Sequence, residues 1–415
     1  MRRHASRPPY RRKAKQAAAS PLPTLLAMAG LVAFALLVSS YARQVPFGQA
    51  PDESAHWQYV EHLANERSLP VFHPGGGYEF HQPPLYYALA APFHGSLPLA
   101  RLVNLVLGLL VCLFTYRLAA QYASDRPLLA LGAAGVAAFL PMQVFLDATI
   151  NNDVLLQACF AAALYLAVRG LRRGLDLPTT ALMGVASGLG LLSKSSALML
   201  LPICLLAILL GRERGTSWRR TLGLGGLYLA VALALGGWWL VRNWLHYGDP
   251  LALAIFNQAF AQCPHPQYFL SRGLSPFGYV ELVAAWTWAS CWGVFGNMNV
   301  FMPAPLYLGL GLLPLGALVG LARPVAAGQA WQRRAWAVMA AAAALLLASF
   351  VQFNMTYFQA QARYLLPGIP VYALLLALGW ERLAPGTART WAPLVPAGVL
   401  LAVAAWVAFA VIAPG

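Results

Sequence analysis

The chain returns repeatedly to apolar stretches long enough to cross a bilayer. They cover residues 24–42, 99–121, 127–146, 153–168, 179–192, 196–210, 221–241, 303–321, 335–352, 364–380 and 391–412. A hydrocarbon core about 30 Å thick calls for about 20 apolar residues in helical form, so most of these runs are of spanning length and two are short. Within lipid every backbone polar group must be satisfied inside the element, which leaves helices or closed barrels. The runs lack the alternation of barrel strands. The expected fold class is therefore an all-α polytopic membrane protein with about eleven transmembrane helices and an upper bound of thirteen. Composition agrees: 60% of residues are hydrophobic and 10% charged, whereas a soluble domain carries about 25% charged residues.

The net charge of +15 raises the question of nucleic acid, and its placement answers it. With the N-terminus cytoplasmic and the runs alternating, 21 of 28 Lys and Arg residues fall in cytoplasmic segments. That is the bias that sets membrane orientation, so the positive charge is a topology signal and no nucleic-acid partner is expected. Residues 1–23 read as a basic cytoplasmic tail and 24–413 as one transmembrane domain. A signal peptide ending near Ser40-Tyr41-Ala42 is the competing reading of the first run, which is long enough to be retained as a helix. Nine of thirteen acids and seven of eight histidines fall on the extracytoplasmic side, where any chemistry is expected. The Trp-rich segment 279–295 would invert all later segments if it spanned, and reads as an interfacial or re-entrant helix. Cys263 and Cys291 share one outer loop, which is weak evidence for a disulfide.

The loop 43–98 holds the densest polar pattern. After Pro51, which can begin a helix, come Asp52-Glu53, with His56 and Tyr59 on the face of Asp52 by helical spacing and Trp57 in the row of Glu53. Amphipathic juxtamembrane helices are expected in this loop. A second cluster, Glu79-Phe80-His81-Gln82-Pro83-Pro84-Leu85-Tyr86-Tyr87, sets His81 and Gln82 just ahead of a turn stiffened by two prolines. A solvated helix start and an interfacial aromatic belt would explain part of this pattern, but not an acidic pair and a polar pair in one loop. Downstream lie Asn152-Asp153, Gly190-Leu191-Leu192-Ser193-Lys194, Trp238-Trp239-Leu240-Val241-Arg242-Asn243-Trp244 and Gln361-Ala362-Arg363-Tyr364-Leu365-Leu366-Pro367.

An acidic pair after the first span and a Pro-Pro-Leu-Tyr-Tyr turn before the second resemble the C-type (GT-C) glycosyltransferases. Within them the pattern is similar to the protein O-mannosyltransferase and lipid A aminoarabinose transferase superfamily, and the ordered motifs run along most of the chain. The resemblance implies a polyprenyl-phosphate sugar donor, an inverting transfer on the extracytoplasmic face of the plasma (inner) membrane, and a glycan, lipid or protein acceptor. It implies Asp52 as general base, Glu53 as its orienting partner or an acceptor ligand, and Asp153 as a second carboxylate. His56, His81, Gln82, Tyr86, Tyr87 and Asn152 are candidate substrate-binding residues. The leaving phosphate needs fixed positive charge, and the candidate cations beside spans are Lys194, Arg242, Arg363 and Arg101. Lys194 interrupts an apolar stretch, where a lysine costs about 2.5–3.5 kcal/mol at mid-bilayer, so function is its default reading.

Divalent metal dependence stays open. Glu53, His56 and His81 offer N/O ligands, and His81-Gln82 stands where many relatives carry a different polar pair. The loop 242–302 is the candidate lid or acceptor wall. A secondary transporter is the competing class, disfavoured because the acids crowd onto one face. A polyprenyl-linked glycan polymerase or ligase and a non-catalytic membrane subunit are the remaining alternatives.

Overall fold

The computed structural model describes residues 21–212, 215, 217–324 and 328–412. Most of the basic tail and Arg214 lie outside them. Each apolar run is helical, and among the described residues the extended structure is one short antiparallel ribbon, Val294–Phe295 against Val300–Phe301. Seven helices are long and apolar enough to cross a membrane: Leu22–Gln44, Leu97–Tyr122, Asp153–Arg173, Trp218–Tyr247, Ala304–Leu321, Ala330–Thr356 and Leu394–Ile412. The pair Pro127–Phe139 and Pro141–Asp147, bent by 63°, makes an eighth if it counts as one span and is otherwise a re-entrant loop. Pro141 has no N–H to give the preceding turn, and it holds Leu140 extended at φ −60°, ψ 118°.

All eleven expected runs are thus helical, but among the described residues seven or eight are of spanning length and three are short. Leu177–Leu191, Ser195–Leu210 and Ile369–Leu383 have 15 or 16 residues, about 22–24 Å at 1.5 Å per residue. Length alone does not carry these three across the bilayer.

The axis of the bundle is Asp153–Arg173. Its apolar window is 83% buried, whereas that of Leu22–Gln44 at the periphery is 17% buried. Helices 97–122, 177–191, 200–210 and 330–356 surround it. Apolar side chains gain little by leaving lipid for one another, so close approach and dispersion hold such helices together. The sequence supplies small residues where backbones meet. Gly184 and Gly188, four apart, face Tyr228 to Leu235 of the long helix 218–247, and Gly236 returns the contact onto Gly188. Gly320 and Gly379 bring helices 304–321 and 369–383 so near that a β-carbon at either would overlap the opposing backbone.

Polar segments sort to two ends. At one, Arg126 pairs with Glu381 at 2.6 Å, Arg172 reaches Ser124, and Trp336 donates to Tyr122. At the other gather the loop 43–98 and residues 150–153, 193–195, 242–302 and 354–364. The Trp-rich helix, Pro276–Trp292, has Tyr279 bonded to the Asn354 carbonyl and Ser290 bonded to Ala362. Both contacts are therefore to the short stretch 354–362. Cys263 and Cys291 are free thiols.

Gly320→Leu should drive the two helices apart or leave them unassembled. The expected cost exceeds the roughly 1–3 kcal/mol of ordinary overpacking, because the obstacle is backbone. A thermal unfolding scan in detergent checks it, with Gly309→Leu, where a β-carbon meets nothing within 4 Å, as control.

Candidate active site

The acidic pair of the first loop splits at the start of one helix. Asp52 precedes helix Glu53–Glu66 and sits in the left-handed region at φ 61°, ψ 8°. Asp tolerates this conformation better than most residues, yet it is uncommon and marks a position held by its surroundings. The carboxylate does not cap its helix. It turns into the bundle end, where its Oδ2 accepts from Arg363 Nη2 at 2.7 Å. Glu53, one residue on, points the other way and is fully buried.

Arg363 arrives on a short 3-10 turn, Ala362–Tyr364, pinned by the Ala362 N–H donating to Ser290 Oγ. It is 5% exposed and faces two carboxylates, Asp52 and Asp153, whose Oδ2 lies 3.7 Å from Nη1. Asp153 opens the axial helix, where a carboxylate suits the dipole, and its Oδ1 accepts from Lys194 Nζ at 2.5 Å. Lys194 projects from the turn between helices 177–191 and 195–210. Its ammonium lies 5.5 Å from the centre of the Tyr364 ring, and Arg363 Nη2 also donates to the Tyr364 hydroxyl at 3.2 Å. Asp52, Arg363, Asp153 and Lys194 thus form one chain of alternating charge. Asp52 remains 34% exposed and Lys194 17%, so the chain opens to the outside at both ends.

A layer of polar and aromatic contacts fixes this chain. Asn152 donates to the Ser193 carbonyl and to Gln82 Oε1, while Ser193 Oγ donates back to the Asn152 carbonyl. The Leu85 N–H donates to the Leu192 carbonyl at 2.9 Å, tying the Pro-Pro turn to the lysine turn. Tyr86 accepts from the Asn151 N–H. Tyr87 stacks on Tyr59 with ring centres 3.8 Å apart, and its hydroxyl meets His56 Nδ1 at 2.9 Å. His81 Nδ1 donates to the Tyr78 carbonyl, which leaves Nε2 to accept from Gln82 Nε2 at 3.3 Å.

Burial pushes the Asp52 carboxyl up, but Arg363, His56 and Lys194 outweigh it and hold it below the usual carboxylate range. Burial likewise drives His56 below the ordinary imidazole value against the pull of Glu79 and Asp52. It takes His81 down to about 4. Both imidazoles are therefore neutral near pH 7.

Several candidates lie elsewhere. Glu53 and Arg101 are locked on each other: Arg101 Nε and Nη2 donate to the two Glu53 oxygens at 2.9 and 2.8 Å. Glu53 also accepts from the Ile150 and Gly48 N–H groups, and Arg101 Nη1 serves the Ala42 and Val45 carbonyls. Glu53 therefore does not orient Asp52, and four of the five Arg101 N–H donors are engaged away from it. Arg242 is likewise apart. Its Nη2 donates to the Pro70 carbonyl at 2.6 Å and the guanidinium lies over Trp239 at 4.5 Å.

As a metal set, Glu53, His56 and His81 are not assembled. Each is engaged separately, and among the described residues no three His, Cys, Asp or Glu side chains converge as ligands. The reason is the helix start at Asp52, which sends Glu53 to the far side of the first loop from the histidines.

Three residues given no role from sequence belong to the site. Tyr364 lies against both cations, Gln359 accepts from its hydroxyl at 3.2 Å, and Glu79 is buried behind His56. Tyr364 and Glu79 stood inside motifs already singled out, but nothing in their spacing told inward from outward. A hollow of about 130 Å³ lies beside this cluster, lined by His81, Gln82, Ser195, Leu198, Trp239 and Phe256 among others. The loop 242–302 closes over it: Phe256 packs against His81 and Phe260 against Tyr78, each with ring centres 5.8 Å apart.

The family model described as dolichyl-phosphate-mannose-protein mannosyltransferase matches residues 83–246. The fold is similar to ArnT from Cupriavidus metallidurans bound to undecaprenyl phosphate, with TM-score 0.60 and 16% identity over 93% of this chain and 64% of that one. The apo form of the same protein gives TM-score 0.55 and 18% identity over 88% and 61%. The Archaeoglobus fulgidus oligosaccharyltransferase in complex with Zn and sulfate gives TM-score 0.51 and 14% identity over 92% and 54%. The chain thus spans less than two thirds of the length of these structures. No curated protein matches it. The family model covers fewer than half of the residues, and the structural likenesses, all under 25% identical, show a shared fold.

Glu53→Gln should destabilise the protein by about 3–5 kcal/mol, because it strands the buried Arg101 without its counter-ion. Denaturant unfolding checks this. Arg101→Met should be just as costly, since it strands Glu53.

Proposed function

We propose that this protein transfers a sugar from a polyprenyl-phosphate donor to a hydroxyl of a lipid, glycan or protein on the extracytoplasmic face of the plasma membrane, with Asp52 as general base. The observation that carries the proposal is the continuous chain Asp52, Arg363, Asp153, Lys194. It sets a partly exposed carboxylate and two cations within one site at the end of an apolar bundle. The first-loop motif, the match over residues 83–246 and the undecaprenyl phosphate named for the ArnT structure support the same class of donor.

The geometry gives each group a task. The acceptor oxygen attacks the anomeric carbon as its proton passes to Asp52. The bond from that carbon to the phosphate oxygen breaks, and the electron pair leaves on the polyprenyl phosphate. Attack opposite the leaving group inverts the anomeric centre. Lys194 and Arg363 meet the charge that develops on the phosphate, where fixed cations in a water-poor site are most effective. Arg101, locked on Glu53, is left out of this task, and Arg242, bonded to the Pro70 carbonyl, keeps a buried Nη1 without a partner among the described residues.

In the free protein Arg363 weakens Asp52 as a base. A bound phosphate competes for Arg363, and Asp52 becomes more basic as the donor settles. Asp153 keeps Lys194 in place through the cycle. The domain reading follows: one transmembrane unit over 24–413, with loop 43–98 catalytic and loop 242–302 the lid or acceptor wall.

No step needs a metal assembled from Glu53, His56 and His81, since those three do not converge.

Asp52→Asn should lower transfer from a polyprenyl-phosphate sugar by about 100- to 10,000-fold, the usual worth of a general base, with the protein still folded though at a lower unfolding temperature, because Arg363 loses a counter-ion. Full activity would remove Asp52 from the role. Asp52 loses function as pH falls through its pKa, so the acid limb of kcat/KM lies below the ordinary carboxylate range. Arg363→Gln should move that limb to higher pH while raising KM for the donor. Tyr78→Cys should be labelled by an impermeant thiol reagent in intact cells, and labelling only after permeabilisation would invert the topology.

A further inference from the structure

Glu79 differs from Asp52, Glu53 and Asp153. Each of those carboxylates holds a guanidinium or an ammonium. Glu79 is 4% exposed, and its Oε2 is buried with no hydrogen-bond partner among the described residues. A buried oxygen left without a donor costs about 1–3 kcal/mol, and more if charged, so such an atom calls for an explanation.

The local backbone keeps it in place. Glu79 sits in the 3-10 turn Tyr78–His81, which is closed by the Phe80 N–H donating to the Gly77 carbonyl and the Gln82 N–H donating to that of Glu79. Pro83 and Pro84 follow at once, and Tyr78 and His81 are clamped by Phe260 and Phe256. The side chain cannot swing to solvent without dismantling this turn.

Its surroundings are those of the reaction. The charged and titratable groups that act on it are His56, Asp52, Lys194 and Arg363, and its own charge bears on Tyr78 and Tyr87. His56 bonds to the Tyr87 hydroxyl, and Lys194 and Arg363 are paired with Asp153 and Asp52, with Arg363 Nε also left without a partner. No donor among the described residues reaches Oε2, so it is open to a molecule bound beside the base and these cations.

We propose that Glu79 binds a hydroxyl of the sugar being transferred and is a specificity-determining residue of the site. The proposal rests on the transferase reading given above. Burial pushes the Glu79 carboxyl up, and the neighbouring charge of Asp52 adds to this. The neutral acid so favoured both donates and accepts, as does a hydroxyl, whereas an ammonium demands the ionised form. The contact is therefore to a neutral polyol and not to an amino substituent.

The test is a cycle between protein and ligand. Purified wild type, Glu79→Ala and Glu79→Gln are titrated with a panel of undecaprenyl-phosphate hexoses and pentoses, their singly deoxygenated analogues and an amino-substituted analogue. Affinity is read by thermophoresis, which needs no turnover. For the fully hydroxylated donor, Glu79→Ala should weaken binding by about 3- to 10-fold, as for a hydrogen bond between neutral groups. One deoxy analogue should lose the same factor with wild type and nothing further with Glu79→Ala. Glu79→Gln, which keeps one acceptor and one donor, should recover part of the loss.

Equal weakening of every analogue, with a lowered unfolding temperature, would make Glu79 structural and overturn the proposal. So would unchanged affinity in both variants while donors still bind. Coupling to the amino analogue alone would overturn the hydroxyl assignment. Failure of wild type to bind any member of the panel would instead remove the transferase reading, and this proposal with it.

Discussion

Charges at the end of an apolar bundle must neutralise one another, and the site is the arrangement that does so. Removing an ion from water costs several kcal/mol unless a counter-ion and hydrogen bonds replace the solvent. Two carboxylates, Asp52 and Asp153, and two cations, Arg363 and Lys194, meet that demand in alternation. Their sum is neutral, and two of them keep contact with the outside. In the proposed reaction a dissociating phosphate adds negative charge beside both cations, so the network that stabilises the resting protein is the one the leaving group would use.

The same chemistry serves a second purpose a few residues away. Glu53 and Arg101 are both buried and bonded mainly to each other and to backbone: Glu53 has four donors and Arg101 three acceptor groups. This pair joins the first loop, the second long helix and the turn at Ile150. Asp52 and Glu53 are adjacent in sequence and alike in chemistry. A single left-handed residue separates a partly exposed carboxylate with one partner from an enclosed one with a full set.

The helices were legible because apolar length is a strong signal in lipid and survives errors of several residues at the ends. Their number as spans was less so. Leu177–Leu191 and Ile369–Leu383 read as spans by composition, and only coordinates show them to be short and wedged among longer neighbours. Asp52, Asp153, Lys194 and Arg363 could be named from motifs, but their mutual contact is a product of the tertiary fold, across separations of up to 311 residues. Arg101 and Arg242 carry the same signal in sequence as Arg363. What distinguishes them is the carbonyls and carboxylates that engage them. Glu79 went unassigned because the depth of a side chain on a 3-10 turn is set by what covers it. Here Phe256 and Phe260 of a distant loop pack on its neighbours His81 and Tyr78.

The most direct measurement is an experimental density map of the protein in lipid with undecaprenyl phosphate bound. The account predicts the phosphate within hydrogen-bond distance of Lys194 Nζ and the Arg363 guanidinium, with Asp52 released from Arg363 and facing open space. A phosphate bound elsewhere, with the Asp52–Arg363 pair intact, would contradict it.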